Sequence, residues 1–348
     1  MKWTPISAVL CLTLMFSQVE AQYSGTLSLG KVKMTFTLDQ KGSPLYEVSY
    51  SNRPVILPSL LGFKLNTDSL FYTSFQLTGT DTSAFDQTWT TVWGETKDIR
   101  NHYKEMKVHL RSLQKPGYLL DIVFRVFEDG VGFRYEFPLQ HDLKYFIVTD
   151  EITEFNLTGD HKTWWIPGDF DTNEYLYTTS SISAIDNRKL VETSTDIAVR
   201  AAPDPFAVQT PLMMKTSDGL FINIHEAALV NYSAMQLHVN RKNYSLHASL
   251  VPDPYGNKAY LHAPFKTPWR TIIVTDNAAE ILTSKMILNL NEPSVISNTS
   301  WIKPMKFTGV WWEMQTGKST WNYSDFPDSL AKDGNLVPNG KHGANTAN

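Results

Sequence analysis

From residue 23 to about residue 148, apolar and polar side chains alternate in short runs, the period of strands with one buried face. In LSLGKVKMTFTLD a single alternating run places Val32, Met34, Phe36 and Leu38 on one side. Gly42-Ser43-Pro44 turns the chain, and LYEVSYSN returns as its hairpin partner. Pro54 and Pro58 bracket VIL. Proline cannot donate to a strand ladder, so this run is expected to be short or at a sheet edge. KVHLRSL and LLDIVFRVFEDG continue the series, and Asp129-Gly130 is a turn signal before VGFRYEFP. KYFIVTDEITEF predicts another strand pair. The polar stretch 180–206, with Pro203 and Pro205, is expected to be a long surface loop. Strands resume with PLMMKT, LFINIHEAA, MQLHVN, YSLHASLV and RTIIVTD. Runs at this spacing predict a mainly β chain folded as an antiparallel β-sandwich, enlarged because the series is too long for a small one.

The pattern changes near residue 277. NAAEILTSKMILNLNEP opens like a helix, with Ala278, Ile281, Leu282 and Lys285 at i, i+3, i+4 and i+7. Trp301-Ile-Lys-Pro304 reads as a rigid linker. KFTGVWWEM is short and continuously apolar, which suits a strand buried on both faces of a parallel sheet or barrel. Asn345-Thr346 stands where a helix cap is expected. A strand followed by a helix start is half a βα unit and cannot bury its faces alone, so further polypeptide is expected after Asn348. Trp311, near the end of that strand, fits either a wall of a sugar pocket or barrel core.

Bulk properties narrow the function. The chain is 42% hydrophobic and 19% charged, enough for an ordinary core. Its net charge of −4, with no polybasic run, argues against nucleic acid and anionic membrane surfaces as partners. Lys2, the apolar run 6–16 and Val19-Glu20-Ala21 form a secretory signal with cleavage expected after Ala21. The apolar run is too short to span a bilayer. Cys11, the single cysteine, lies inside that signal, so the expected mature chain has no disulfide and relies on its core, with or without a metal. That composition suggests a bacterial periplasmic protein. The five Asn-x-Ser/Thr matches, at Asn156, Asn231, Asn243, Asn298 and Asn322, are then chance occurrences.

Chemistry concentrates in residues 164–177, WWIPGDFDTNEYLY. Aromatic faces beside carboxylates suit a sugar ring, whose C–H face packs on an aromatic while acids accept its hydroxyl protons. Carboxylates on a turn also suit a hard cation such as Ca²⁺. The plainer alternative is a sandwich corner with Trp164 and Trp165 as packing and Asp169 and Asp171 as turn formers. WGETKDIRNHY, residues 93–103, reads as a solvated strand with alternating charges. His225 and Glu226 fall on opposite faces of a continuing strand and so do not share a metal, and HEAA lacks the second histidine of a zinc helix. Nucleotide and serine-hydrolase fingerprints do not occur.

Taken in order, WGETKDIRNHY, DGVGFRYEFP, WWIPGDFDTNEYLY, LMMKT-x-DGL-x-IN-x-HEAALV, TPWRTIIV, LNLNEP, GVWWEM and NGKH-x-ANTAN resemble glycoside hydrolase family 97, and within it the calcium-dependent α-glucosidases. The resemblance implies a large antiparallel β-super-sandwich (22–276) after the signal (1–21), a linker helix region (277–304) and the first strand of a truncated (β/α)8 barrel (305–348). It implies a secreted, calcium-dependent glycosidase acting on starch-derived α-glucosides, with α-galactosides and a retaining mechanism as the alternative, or a non-catalytic carbohydrate-binding sandwich. The family's acid and base, and most of its calcium-ligating glutamates, belong to later barrel strands, so the chain as given is expected to be inactive alone. The calcium ligand that the sandwich supplies matches Glu174, in DTNEY, and the aromatic pocket wall matches Trp311. Thr195 and Asp196 join them as expected substrate contacts from the polarity and position of their loop.

Overall fold

The computed structural model describes residues 21–194 and 201–306. Residues 1–20 of the signal stretch and residues 307–348, FTGVWWEM among them, lie outside the described residues. So do Thr195, Asp196 and Trp311. Contacts divide the chain into Met1–Pro293 and Ser294–Asn348. The described part of the second unit, 294–306, holds one turn, in which the amide of Ile302 donates to the carbonyl of Thr299.

The first unit is built on strands, and every pairing among the described residues is antiparallel. One sheet of eight strands runs, edge to edge, Ala21–Leu29, Val32–Asp39, Pro44–Tyr50, Arg53–Leu60, Glu154–Leu157, Ser245–Leu250, Met235–Asn240 and Ala207–Val208. A sheet of ten runs Thr178–Ser181, Lys162–Trp165, Leu212–Lys215, Phe221–Ala227, Trp269–Thr275, Gly130–Phe137, Leu119–Phe127, Asp98–Ser112 and Phe75–Thr90, with Phe265–Lys266 also paired to Gly130–Phe137. Ala259–His262, Tyr145–Glu151 and Phe63–Leu65 form a third, small sheet. The two large sheets are joined by a common core. Val32, Met34, Phe36 and Leu38 are all fully buried, as their alternation predicts. Rings interlock across the layers: Phe36 lies 5.8 Å from Phe124, and Tyr46 lies 4.8 Å from Phe133.

Four expectations are corrected. LSLGKVKMTFTLD is a hairpin and not one run, because Gly30 at φ +56° turns the chain between Leu29 and Val32. Arg53–Leu60 is eight residues long and interior, paired on both sides. Its prolines are tolerated because pairing to Glu154–Leu157 covers only Ile56 and Leu57, while the register with Pro44–Tyr50 slips around Glu47. The amide side chain of Asn156 bonds the Pro58 carbonyl instead, at 2.7 Å. KYFIVTDEITEF supplies Tyr145–Glu151 to the small sheet and Glu154–Leu157 to the eight-stranded one, so its two strands do not pair. The stretch 180–206 carries a strand end, a 3-10 turn at Ile182–Ala184 and a helix at Arg188–Thr193, with Ile182 and Ile185 fully buried.

After the last strand, Ala278–Thr283 forms a helix whose first turn is capped by the Asn277 side chain accepting from the Ala279 amide. The helix stops at Ser284, and Met286–Asn289 forms a second short one. The apolar stripe does not become the buried face: Leu282 is 86% exposed, whereas Met286 and Leu290 are buried against Trp269 and Tyr103 in a satellite core.

Candidate functional site

The stretch 164–177 leaves the ten-stranded sheet at a corner. Lys162–Trp165 pairs with Thr178–Ser181 on one side and Leu212–Lys215 on the other, so the intervening residues return as a long excursion between adjacent strands. Trp165 is buried and its indole N–H donates to Ser180 Oγ at 2.9 Å. Trp164 is half-buried, with the Lys162 ammonium 5.1 Å from its ring centroid. Both tryptophans therefore pack the corner. Pro167 bridges to Val208, and the Gly168 amide donates to the Ala207 carbonyl at 2.8 Å.

Asp169 organises the excursion. Its side chain is buried, and Oδ1 accepts from the amides of Asp171, Thr172 and Ala201 at 2.9, 3.3 and 3.2 Å. Its Oδ2 accepts from the Tyr175 hydroxyl at 2.6 Å. Its backbone carbonyl accepts from Gln209 Nε2 at 3.0 Å and Gln236 Nε2 at 2.6 Å. Gln209 also reaches the Thr172 carbonyl, at 2.8 Å. Burial pushes the Asp169 carboxyl up, but the Tyr175 hydroxyl and the three amides outweigh it and hold the group below the usual carboxylate range. The excursion is thus pinned from inside while its tip faces solvent: Asp171, Asn173, Glu174, Leu176 and Tyr177 are exposed. The Glu174 amide donates to Thr172 Oγ1 at 3.1 Å. That fixes the backbone under its carboxylate, which faces water. Among the described residues no three His, Cys, Asp or Glu side chains converge to hold a metal. Glu174 offers one hard oxygen donor, and the described residues do not complete the 6–8 oxygens that calcium takes.

The other motifs resolve into structure. In 93–103, Arg100 pairs with Asp86 through two hydrogen bonds of 2.7 Å, and His102 approaches Glu128 at 3.3 Å, both on an exposed face. His225 meets Thr210 Oγ1 at 3.1 Å and burial holds its imidazole below the ordinary value. Glu226 faces the other way, into the interior.

There it meets a polar cluster that sequence patterning alone does not reveal. Arg270 binds Glu151 through Nε and Nη2 at 2.8 and 2.7 Å, and Glu226 through Nη1 at 2.7 Å. The side chains of Arg270, Glu151 and Glu226 are 1%, 0% and 7% exposed. Each carboxylate oxygen has a partner: Thr153 and Tyr232 also donate to Glu151, and the Met235 amide donates to the second oxygen of Glu226. A signal is nevertheless present in TPWRTIIV, an arginine inside an otherwise apolar buried strand, which requires carboxylate partners.

The comparisons with known proteins agree with this fold. The family description "Glycosyl-hydrolase 97 N-terminal" matches residues 29–293. The chain is 22% identical over 325 residues to a retaining alpha-galactosidase of Bacteroides thetaiotaomicron, covering 85% of this chain and 45% of that protein. It is 24% identical over 274 residues to a probable retaining alpha-galactosidase of Streptomyces bingchenggensis, covering 78% and 38%. Among solved structures, a family 97 enzyme of Pseudoalteromonas sp. strain K8, seen in complex with acarbose, is 34% identical with a TM-score of 0.74, covering 85% of this chain and 42% of that one. A variant of that enzyme is seen in complex with panose. The chain spans less than half the length of each of these proteins. A match over this much of the sandwich places the chain in glycoside hydrolase family 97, as the bearer of its N-terminal domain.

Proposed function

We propose that this chain is the N-terminal part of a secreted, calcium-dependent glycoside hydrolase acting on α-linked glucosides, and that it lends the active site a calcium ligand, Glu174. The observation that carries this reading is the excursion at 164–177: a buried Asp169 pins it from inside while Glu174 is exposed at its tip. A carboxylate fixed in this way suits a cation shared with a neighbouring catalytic domain, since the ordering cost of the loop is met by the sandwich. Calcium, when bound there, supplies positive charge beside the sugar. The sandwich holds the backbone of residues 169–174 and buries Trp165, with Trp164 half-buried beside it. Paired carboxylates that cleave the glycosidic bond belong, in this reading, to polypeptide other than the described residues. Thr195, Asp196 and Trp311 remain proposed substrate contacts, and the periplasm remains the proposed location.

The preference for α-glucosides rests on likeness to the enzyme seen with panose and acarbose, at 34% identity. The names of the two curated relatives favour the second reading, a retaining α-galactosidase. The test is hydrolysis of p-nitrophenyl α-glucoside against p-nitrophenyl α-galactoside by the longer polypeptide that bears this domain, with and without a calcium chelator. Glucoside turnover abolished by the chelator is expected. Galactoside turnover alone overturns the substrate assignment, and chelator-resistant turnover overturns the calcium assignment. The 348-residue chain by itself is expected to hydrolyse neither, and turnover by pure chain would sink the placement of the catalytic carboxylates.

A further inference from the structure

On the outer face of the eight-stranded sheet, four titratable side chains form a row across the strands. Glu154 is directly opposite His247, His247 is opposite His238, and His238 is opposite Ala207, three residues after Asp204. The order across the sheet is carboxylate, imidazole, imidazole, carboxylate. His238 Nδ1 lies 2.6 Å from Asp204 Oδ2, and His247 Nδ1 lies 3.7 Å from Glu154 Oε1. Each imidazole thus turns its Nδ1 to the carboxylate on its own outer side. His238, whose Nδ1–H is held by Asp204, carries its lone pair on Nε2, the arrangement found behind metal-ligating histidines, whereas His247 faces Glu154 without a hydrogen bond.

The geometry points to a two-histidine site, and we propose that His238 and His247 bind one divalent transition-metal ion of the zinc class through their Nε2 atoms, with Asp204 and Glu154 orienting the rings. The ring centroids are 6.3 Å apart. With Zn–N near 2.0–2.1 Å, a ring centroid sits roughly 3.2 Å from the ion, so two rings stand about 5.2 Å apart at a tetrahedral centre and about 6.4 Å apart in a linear one. The pair closes to tetrahedral spacing by a shift of about 1 Å, which side-chain rotation supplies. Both rings have room for it, being 43% and 37% exposed. Ser245 Oγ donates to Asn243 Oδ1 at 2.8 Å, so in its 3.1 Å contact with His247 Nε2 the imidazole is the donor; metal binding at Nε2 requires that proton to move to Nδ1, on the Glu154 side of the ring. An open cleft of about 630 Å³, lined by Phe206, His238, Asn240, Arg241 and Lys242, reaches the His238 side of the pair. The nearby Arg241 is engaged elsewhere, its Nε donating to the Ser183 carbonyl at 2.8 Å. Among the described residues no three potential ligands converge here, so water fills the remaining positions. Imidazole nitrogen selects zinc, nickel or copper over calcium, which separates this site from the proposed calcium ligand at Glu174.

The experiment is calorimetric titration of the untagged 348-residue chain with ZnCl₂ at neutral pH in excess CaCl₂, which occupies oxygen-only sites. One saturable zinc per chain is expected. His238→Ala and His247→Ala should each weaken it by about tenfold or more, and Asp204→Asn, which leaves both imidazoles in place, by roughly tenfold. His225→Ala, on the other sheet, should leave it unchanged. Circular dichroism of the metal-free variants checks that they fold, and Asp204→Asn carries the test if a histidine variant does not. Absence of saturable binding overturns the proposal. So does an affinity that neither histidine variant alters, which would place the zinc at another histidine.

Discussion

Asp169 and Glu174 lie five residues apart and do opposite things. Asp169 is buried and accepts from three amides and a hydroxyl. Glu174 is exposed and its carboxylate faces water. Replacing Asp169 with Ala strands amide donors in a part-buried setting, so a loss of about 1–3 kcal/mol is expected from denaturant midpoints, with faster hydrogen exchange at Asp171, Thr172 and Ala201. The sign with pH comes from the depressed carboxyl. Its folded value lies below the unfolded one, near 3.9, so the stabilisation is complete above that value and is lost as pH falls through the folded one. The gap between wild type and Asp169→Asn should therefore narrow below about pH 4. Glu174→Gln is expected to leave stability within about 0.5 kcal/mol while weakening calcium binding by the longer polypeptide. Unchanged calcium titration would remove Glu174 from the proposed role. Composition alone made this stretch visible, and the short-range bonds from Asp169 to Asp171 and Thr172 are the turn chemistry that its sequence indicates. The partners that make it an anchor, Gln209 and Gln236, come from 40 and 67 residues away, and no local pattern announces them.

At the scale of elements, alternation and turn residues located many of the strands but missed Phe75–Thr90, the longest described, and failed where neighbouring strands decided the outcome. Gly130 shows this. Asp129-Gly130 does turn the chain, but the backbone at Gly130 is not left-handed. A Cβ there would stand 2.3 Å from the Ile272 carbonyl oxygen, so glycine is required by the close approach of Trp269–Thr275. Two residues on, a Cβ at Gly132 would crowd the end of the Leu290 side chain, at 2.8 Å, and stand at ordinary contact distance, 3.5 Å, from the Trp269 ring. Gly130→Ala must separate two central strands and is expected to cost about 3 kcal/mol, the upper part of the overpacking range, whereas Gly132→Ala displaces a rotatable side chain and should cost about 1 kcal/mol. Urea midpoints of the two variants decide it, and equal losses would refute the backbone-contact account. The helices after the sandwich were legible as helices but not in their buried face. Their docking depends on Trp269, whose ring is flanked by Arg125 at 4.8 Å and Arg134 at 4.4 Å, contacts with two consecutive strands far upstream in the chain.

At the scale of the whole sandwich, the described sheets are held together by an apolar core and, inside it, by the charged cluster around Arg270. Glu151 ends a strand of the small sheet, while Glu226 and Arg270 face each other on paired strands of the ten-stranded one. Their bonds therefore tie one sheet to another, and the tie is costly to break from one side. Removing the guanidinium leaves two carboxylates in the interior, so Arg270→Met is expected to lose about 3–5 kcal/mol. Replacing all three residues with apolar ones of similar volume should recover most of that loss, because no desolvated charge then remains. The pH dependence separates a charge effect from a packing effect. Burial raises the Glu226 carboxyl above its ordinary value even with Arg270 beside it. A raised carboxyl favours the fold below the unfolded value, near 4.3, and that contribution is lost as pH rises through the folded one. Without Arg270 the Glu226 carboxyl is driven further toward the protonated form. The deficit of Arg270→Met should then be smallest near pH 4 and grow toward pH 8, as measured by chemical denaturation at each pH. A deficit independent of pH would mean that the arginine stabilises by filling space, and that the sheets are joined by the apolar core alone.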